Sequence, residues 1–283
     1  MQTTFIRKDY ITTDALENDG VVWIEHKLLA SYKEIRHAFS TRIGGVSKGA
    51  LASMNLRNCK YDTLDNYKTN IQKFCSAAGF NYDRIVASAQ SHSCNVELVR
   101  EEDCPKGTLF GDSYSDVDGL ITDVPGITLV TSFADCIPLF FYDPVRRVVA
   151  TAHAGWRGTV GGIGRVVVEK MQDNYGSNPE NIVAAIGPGI CRDCYEVSED
   201  LYEEFGHSFD EKVMSEIFSL GREGHYQLDL WKANYYVLMK SGILKEHISI
   251  TDICTKCNSD KFFSRRAMGD VSGNQCGFIS INE

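Results

Sequence analysis

The sequence lacks a long apolar run. The longest candidate, residues 126–142, is broken by Asp135 and Pro138. It falls short of the roughly 20 apolar residues that cross a bilayer as a helix, so no membrane association is expected. Residues 1–14 lack the apolar core of a secretory signal, and the chain is expected to be cytoplasmic. Basic blocks are also missing. With a formal net charge of -9 and no Lys/Arg cluster, the chain is a poor match for a nucleic-acid backbone, and any anion it handles must be met by a few local cations. Internal repeats, low-complexity tracts and linkers are absent as well, so residues 1–283 read as a single domain.

Cysteine, by contrast, is plentiful, with ten residues. In a cytoplasmic chain these are expected to be reduced thiols, available for core packing, metal binding or catalysis. Hydrophobic residues make up 43%, enough for a sizeable core.

Apolar residues Tyr67, Ile71, Phe74 and Ala78 recur at helical spacing, and Gly79 follows as a stop, which predicts a helix over 64–79. Strands are predicted over 21–29, 37–40, 85–90, 96–99, 119–122, 127–133, 137–142, 148–153, 181–186, 248–253 and 278–281, with Asp143-Pro144 as a hairpin turn. Segments 159–174, 198–205 and 230–241 read as helices, and 101–116 as a polar loop. This mixture, with hairpins, predicts an α/β (α+β-like) fold: one layered domain of mixed sheets flanked by helices.

Three segments carry the chemistry: Gln90-Ser91-His92, Ala134-Asp135-Cys136-Ile137-Pro138 and His153-Ala154-Gly155-Trp156-Arg157-Gly158. Each lies at a predicted strand end, where binding groups tend to be displayed. A thiolate and two neutral imidazoles suit zinc. Three protein ligands leave a fourth position open, as in catalytic zinc sites, whereas structural sites close with four. Spacing does not join the three residues into a short motif. Taken singly, a cysteine near strands is also a common core filler, and a lone histidine a common structural residue.

These segments resemble the laccase-domain family, also called YfiH-like or multicopper polyphenol oxidase, for which purine nucleoside phosphorylase and adenosine deaminase activities were later recognised. The resemblance runs from about His37 to the C-terminus. It includes Phe39-Ser40-Thr41-Arg42, Gly44-Gly45-Val46-Ser47, Asn55-Leu56, Asp118-Gly119, Gly187-Pro188-Gly189-Ile190, Tyr195-Glu196-Val197, Cys254-Thr255 and Phe262-Phe263-Ser264-Arg265, besides the three segments above; the string at His153 is the most specific. It implies zinc on His92, Cys136 and His153, a fold related to toxin deamidases, and purine nucleosides and inorganic phosphate as partners of a monomer or small homo-oligomer. The chain departs from the family in having Ser93 where many members have Gly, and Ile71 and Asn274 where many have Arg, so phosphate contacts would have to come from elsewhere.

The implied reactions are phosphorolysis of inosine, adenosine or methylthioadenosine to base and a ribose-1-phosphate derivative, and hydrolytic deamination of adenosine. Arg42 and Arg157 are the candidates for phosphate, since a guanidinium fork matches phosphate oxygens. Asp135 is a candidate acid/base or a partner of a histidine ligand, and Cys136 is a candidate for the reacting centre itself. Asn55, Ser264 and Arg265 are candidates for substrate contact. Three rival readings stand beside this one, the non-enzymatic one being a zinc-stabilised binding protein. A copper-dependent polyphenol oxidase needs more donors than one three-ligand site among seven histidines offers. A Cys-His hydrolase or deamidase would use Cys136 as nucleophile and His153 as base.

Two further motifs remain. Gly158-Thr159-Val160-Gly161-Gly162-Ile163-Gly164 is not a phosphate loop and is expected to allow close helix packing. Cys191-Arg192-Asp193-Cys194 and Cys254-Thr255-Lys256-Cys257 have the ligand count of a structural zinc ribbon. The roughly sixty residues between the pairs exceed the usual knuckle spacing, and the resemblance implies no second metal. A structural four-cysteine zinc site is therefore kept only as an alternative.

Overall fold

The computed structural model describes residues 3–107 and 113–283. Part of the loop predicted over 101–116 lies outside the described residues. Two mixed sheets pack face to face with helices on both outer faces. In the first sheet the strand order is Thr13–Asn18, Val21–His26, Ile35–Ser40, Gln275–Ile281, Thr128–Phe133, Ile85–Ala89, Tyr114–Ser115; in the second it is Ile248–Ile250, Val183–Ile186, Ile137–Asp143, Val148–Ala154, Gly119–Thr122, Val96–Leu98. Most neighbours are antiparallel. Ile85–Ala89 is parallel to both of its neighbours, and each outer strand of the second sheet is parallel to its partner. A small third sheet joins Glu196–Ser198, His225–Leu228 and Phe218–Leu220. This is the expected α/β layering.

Alternation along Ile137–Asp143 shows how the layers form. Ile137, Leu139 and Phe141 face the core shared with helices Ile163–Tyr175 and Leu230–Lys240. Phe140 and Tyr142 face the other sheet, packing in one cluster with Phe39, Leu129 and Phe133. Both faces are buried, so the strand is apolar throughout apart from its final Asp143. Helix Leu64–Ala78 covers the first sheet's outer face with Ile71 and Phe74 against Trp23 and Phe278. It ends where Gly79 takes a left-handed φ of 77°.

The segment predicted as one helix over 159–174 is two, Trp156–Gly161 and Ile163–Tyr175, broken at Gly162 with φ 74°. The glycines serve close packing there: a Cβ on Gly164 would lie 2.9 Å from Leu238, and one on Gly161 2.5 Å from the Cys94 sulfur. The edge strand Thr13–Asn18 carries Asp14, Glu17 and Asn18 and so hides its strand character from periodicity. Among the described residues no helix is long and apolar enough to cross a membrane.

Candidate metal centre

Sheet register assembles the centre. Across the hairpin, Ala154 pairs with Ile137 and His153 with Pro138, so His153 and Cys136 meet at one end. On the other side Ala152 pairs with Gly119, which places Asp118 beside His153; the His153 amide donates to the Asp118 carbonyl at 2.7 Å. His92 arrives on the loop after Ile85–Ala89. Gln90 pins that loop by exchanging two hydrogen bonds with the Ser132 backbone, at 2.7 and 3.0 Å.

The ligand atoms of His92, Cys136 and His153 lie within 4.8 Å of one another. Asp118, fully buried, organises them. Its carboxylate accepts the backbone N–H groups of Ser91 (3.0 Å), His92 (3.1 Å) and Ser93 (2.9 Å), together with the Ser93 hydroxyl at 3.0 Å. Converging successive amides on one anion requires a left-handed residue between them, and His92 has φ 67°. The same carboxylate takes a 2.7 Å hydrogen bond from Nδ1 of His153. An acceptor-only carboxylate assigns a proton to Nδ1, so Nε2, on the Cys136 side, is the nitrogen that would ligate a metal once its own proton is displaced.

Without a metal, the electrostatics make Cys136 and His153 a thiolate–imidazolium pair, and a bound cation would displace the Nε2 proton. Burial would raise Asp118, but the His153 hydrogen bond and the backbone amides hold it at about 2. Burial would also raise the Cys136 thiol, yet the two imidazoles bring it down to about 6. Burial would lower His153, while the Cys136 thiolate and Asp118 hold it up at about 9. The donor set therefore favours a thiolate and suits a borderline-soft cation. Gly155 closes in from below: a Cβ there would lie 2.8 Å from His92 Nδ1 and 3.1 Å from the Cys136 sulfur.

The other candidates are placed as follows. Asp135, with φ 84°, is a hub: its carboxylate accepts the Thr255 hydroxyl (2.6 Å), the Ser264 hydroxyl (2.9 Å) and the Arg266 amide (2.7 Å). Ser264 is fully buried and also caps helix Arg265–Met268. Asn55 is fully buried too, donating to the Arg57 carbonyl and Asp62 and accepting from the Asn274 amide. Arg42 donates to the carbonyls of Ala50, Ala52 and Ser259 and stacks on Phe263. Arg157 is exposed and stacks on Trp156 at 4.1 Å. Arg265 is exposed and pairs with Asp270. Position 71 is in the core, where Ile71 is 3% exposed, and Asn274 donates to the Ser132 hydroxyl.

Three residues that sequence reasoning gave no role belong here: Asp118, Tyr195 and Arg266. Burial raises the Tyr195 phenol, the Cys136 thiolate adds to the rise, and Arg266 and Arg157 oppose it. Arg266 also stacks on Tyr195 and donates to the Glu196 carbonyl. Tyr195 and Arg266 border a cleft of about 400 Å³ that runs on toward Arg222 and His225. Asp118 and Tyr195 had signals in the strings Asp118-Gly119 and Tyr195-Glu196-Val197; Arg266 had none, because Arg265 sits in the matching string.

The structure also brings Cys191, Cys194, Cys254 and Cys257 together, with all four sulfurs within 4.8 Å of one another. The long spacing between the pairs is spanned by the fold, so it does not argue against a shared site.

The family model described as multi-copper polyphenol oxidoreductase laccase matches residues 36–282. The chain is similar to the purine nucleoside phosphorylase YlmD of Bacillus subtilis, 34% identical over 89% of this chain and 90% of that protein. It is also similar to the adenosine deaminase RL5 of an unknown prokaryotic organism, 34% identical over 83% of this chain and 90% of that protein. Among solved structures, YlmD from Geobacillus stearothermophilus superposes with a TM-score of 0.89 at 30% identity, covering 97% of this chain and 100% of that one.

Proposed function

Because the chain belongs to the multi-copper polyphenol oxidoreductase laccase family, we propose that it is a purine nucleoside enzyme: a zinc-dependent phosphorylase of inosine, adenosine and methylthioadenosine that also deaminates adenosine. The reading is carried by the His92, Cys136 and His153 cluster, with His153 held by Asp118 in the tautomer that ligates a metal; the activities named for the relatives support it. Zinc held by His92, Cys136 and His153 would supply a Lewis acid, suited to activating water or polarising phosphate or base.

The chain's own residues would do the rest. Asp118 sets the ring orientation and charge of the centre. Tyr195, whose phenol is kept protonated by burial, is assigned to hydrogen-bonding the leaving purine. Arg157 is assigned to phosphate: it is exposed next to the His153 strand end, and among the described residues its guanidinium stacks on Trp156 without a hydrogen-bond partner. Arg42, Asn55, Asp135 and Ser264 are assigned to holding the walls, since their polar groups are largely engaged within the protein.

The test is to incubate the zinc-loaded protein with inosine, adenosine and methylthioadenosine, with and without phosphate, and to separate the products. Phosphate-dependent release of free base, and inosine formed from adenosine without phosphate, are expected. If neither inosine nor adenosine is consumed, the reading fails.

A second reading has its own observation. His153 donates to Asp118 at 2.7 Å and has a ring nitrogen within 4.8 Å of the Cys136 sulfur, an arrangement that fits an orienting carboxylate, a base and a nucleophile. A covalent adduct formed at Cys136 by an amide or ester substrate in metal-free protein would favour a hydrolase. Tight copper binding with dye oxidation would favour the oxidase.

A further inference from the structure

We propose that Cys191, Cys194, Cys254 and Cys257 form a closed, tetrahedral zinc site that clamps together the two loops behind the catalytic centre. The proposal goes beyond the nucleoside reading; the expected total of two zinc ions rests on that reading, but the loss of one ion on Cys194→Ser/Cys257→Ser does not.

The first pair lies on the turn containing Arg192–Cys194, after the segment that ends at Ile190. The second lies on the turn after strand Ile248–Ile250. A bridge between Gly189 and Cys254 sets the two turns side by side. For a zinc–sulfur bond of about 2.3 Å, the edge of a tetrahedron of sulfurs is about 3.8 Å. The Cys194 and Cys257 sulfurs are 3.5 Å apart, and all four lie within 4.8 Å. A disulfide requires about 2.05 Å, and all ten cysteines are free.

Two amides point at the Cys254 sulfur: that of Cys191 at 3.3 Å, and that of Cys257, three residues on, at 3.5 Å. Amide donors of this kind stabilise a thiolate ligand, and their convergence on one sulfur is the local geometry of a metal-binding turn. Four thiolates select zinc or iron over hard cations. Cys191 and Cys254 are buried while Cys257 is exposed, so the ion would sit at the molecular surface. Redox-inert zinc tolerates that exposure without oxidation of the ion. With four protein ligands no position is left for substrate, so the role is structural.

The clamp reaches the catalytic wall through neighbouring residues. Thr255 follows Cys254 and donates to the Asp135 carboxylate, its own amide bonding the Gly189 carbonyl at 3.1 Å. Ile190 precedes Cys191 and donates its amide to the Asp135 carbonyl at 2.9 Å. Tyr195 follows Cys194 and stacks with Arg266, whose amide donates to the Asp135 carboxylate. Asp135, the residue before the metal ligand Cys136, is therefore held from both clamped loops.

The experiment is elemental analysis of the full-length protein purified with zinc and without chelator. We expect about two zinc ions per chain, falling to about one in Cys194→Ser/Cys257→Ser, to about one in Cys136→Ala, and to none in the triple variant. In the unmutated holoprotein, mass spectrometry after alkylation should find all four cysteines protected until zinc is stripped; this readout requires no variant to fold. One zinc per chain that is unaffected by the Cys194→Ser/Cys257→Ser change would overturn the proposal. So would iron at the site, free alkylation of the four thiols in zinc-loaded protein, or an intact mass lighter by four hydrogens, which indicates two disulfides.

Discussion

Replacing Asp118 by asparagine tests the organisation of the centre most directly. One carboxylate oxygen accepts from Ser91 N–H, Ser93 N–H and the Ser93 hydroxyl; the other accepts from His92 N–H and His153 Nδ1. An amide keeps one acceptor. With its oxygen on the side of the three donors, its NH₂ group faces the His92 amide and His153. The imidazole then turns to the other tautomer, Nδ1 accepting and Nε2 carrying the proton, and Nε2 is blocked as a ligand. Loss of such a partner lowers metal affinity roughly 10–100-fold, or about 1.4–2.8 kcal/mol. The stranded His92 N–H costs a further ~1–3 kcal/mol of fold stability, a fall of roughly 2–10 °C in Tm at this chain length. Chelator competition measures the first effect, and thermal melting of metal-free protein the second. A folded Asp118→Asn variant that keeps zinc affinity within about twofold of the parent, well below that range, would refute the tautomer argument.

Three more perturbations follow from the same geometry. Gly155→Ala should cost at least about tenfold in zinc affinity, because its Cβ would lie 2.8 Å from His92 and 3.1 Å from the Cys136 sulfur; unchanged affinity by the same titration would show that the floor yields. Thr255→Val removes a 2.6 Å hydrogen bond to buried Asp135 and should destabilise the fold by ~1.5–3 kcal/mol in urea unfolding, so a loss below about 0.5 kcal/mol counts against Asp135 as a hub. The buried pair His26 and His37 are lowered to about 3 by burial, below the unfolded value near 6.5. The unfolded chain therefore binds more protons between about pH 6.5 and 3, and stability present above that window is lost as pH falls through it. His37 accepts the His26 amide through Nε2 at 2.8 Å. His37→Gln retains an acceptor but does not titrate, so between pH 7 and pH 5 the parent should lose ~2 kcal/mol more than this variant; equal losses would mean that His37 is already charged in the fold.

Much of the fold was legible because its signals are local. The helical spacing Tyr67, Ile71, Phe74 and Ala78 with Gly79 behind it matches Leu64–Ala78 almost to the residue, and the Asp143-Pro144 turn separates Ile137–Asp143 from Val148–Ala154 as expected. Residue type also decides the Gly162 break, yet a left-handed glycine between two helical stretches looks, in periodicity alone, like one helix. The edge strand Thr13–Asn18 was missed because its polar residues hide the strand pattern, and the third sheet because its strands of three or four residues are too short for alternation to register, although Val197, Phe218 and Leu228 are buried.

For the centres, the amino-acid sequence by itself determined the donors: two imidazoles and a thiolate at strand ends, and two cysteine pairs on short turns. Tertiary structure decided which of them meet. Strand register places Asp118 and Cys136 on either side of His153, and the adjacent loops close the distance of 63 residues between Cys191 and Cys254. The same packing occupied Arg42 with backbone carbonyls, paired Arg265 with Asp270, and turned Arg266 toward Asp135 and Tyr195. The physical reason is range. Ligand chemistry resides in each side chain, whereas ligand geometry is fixed by hydrogen bonds and packing between segments far apart in the chain, which no local pattern encodes.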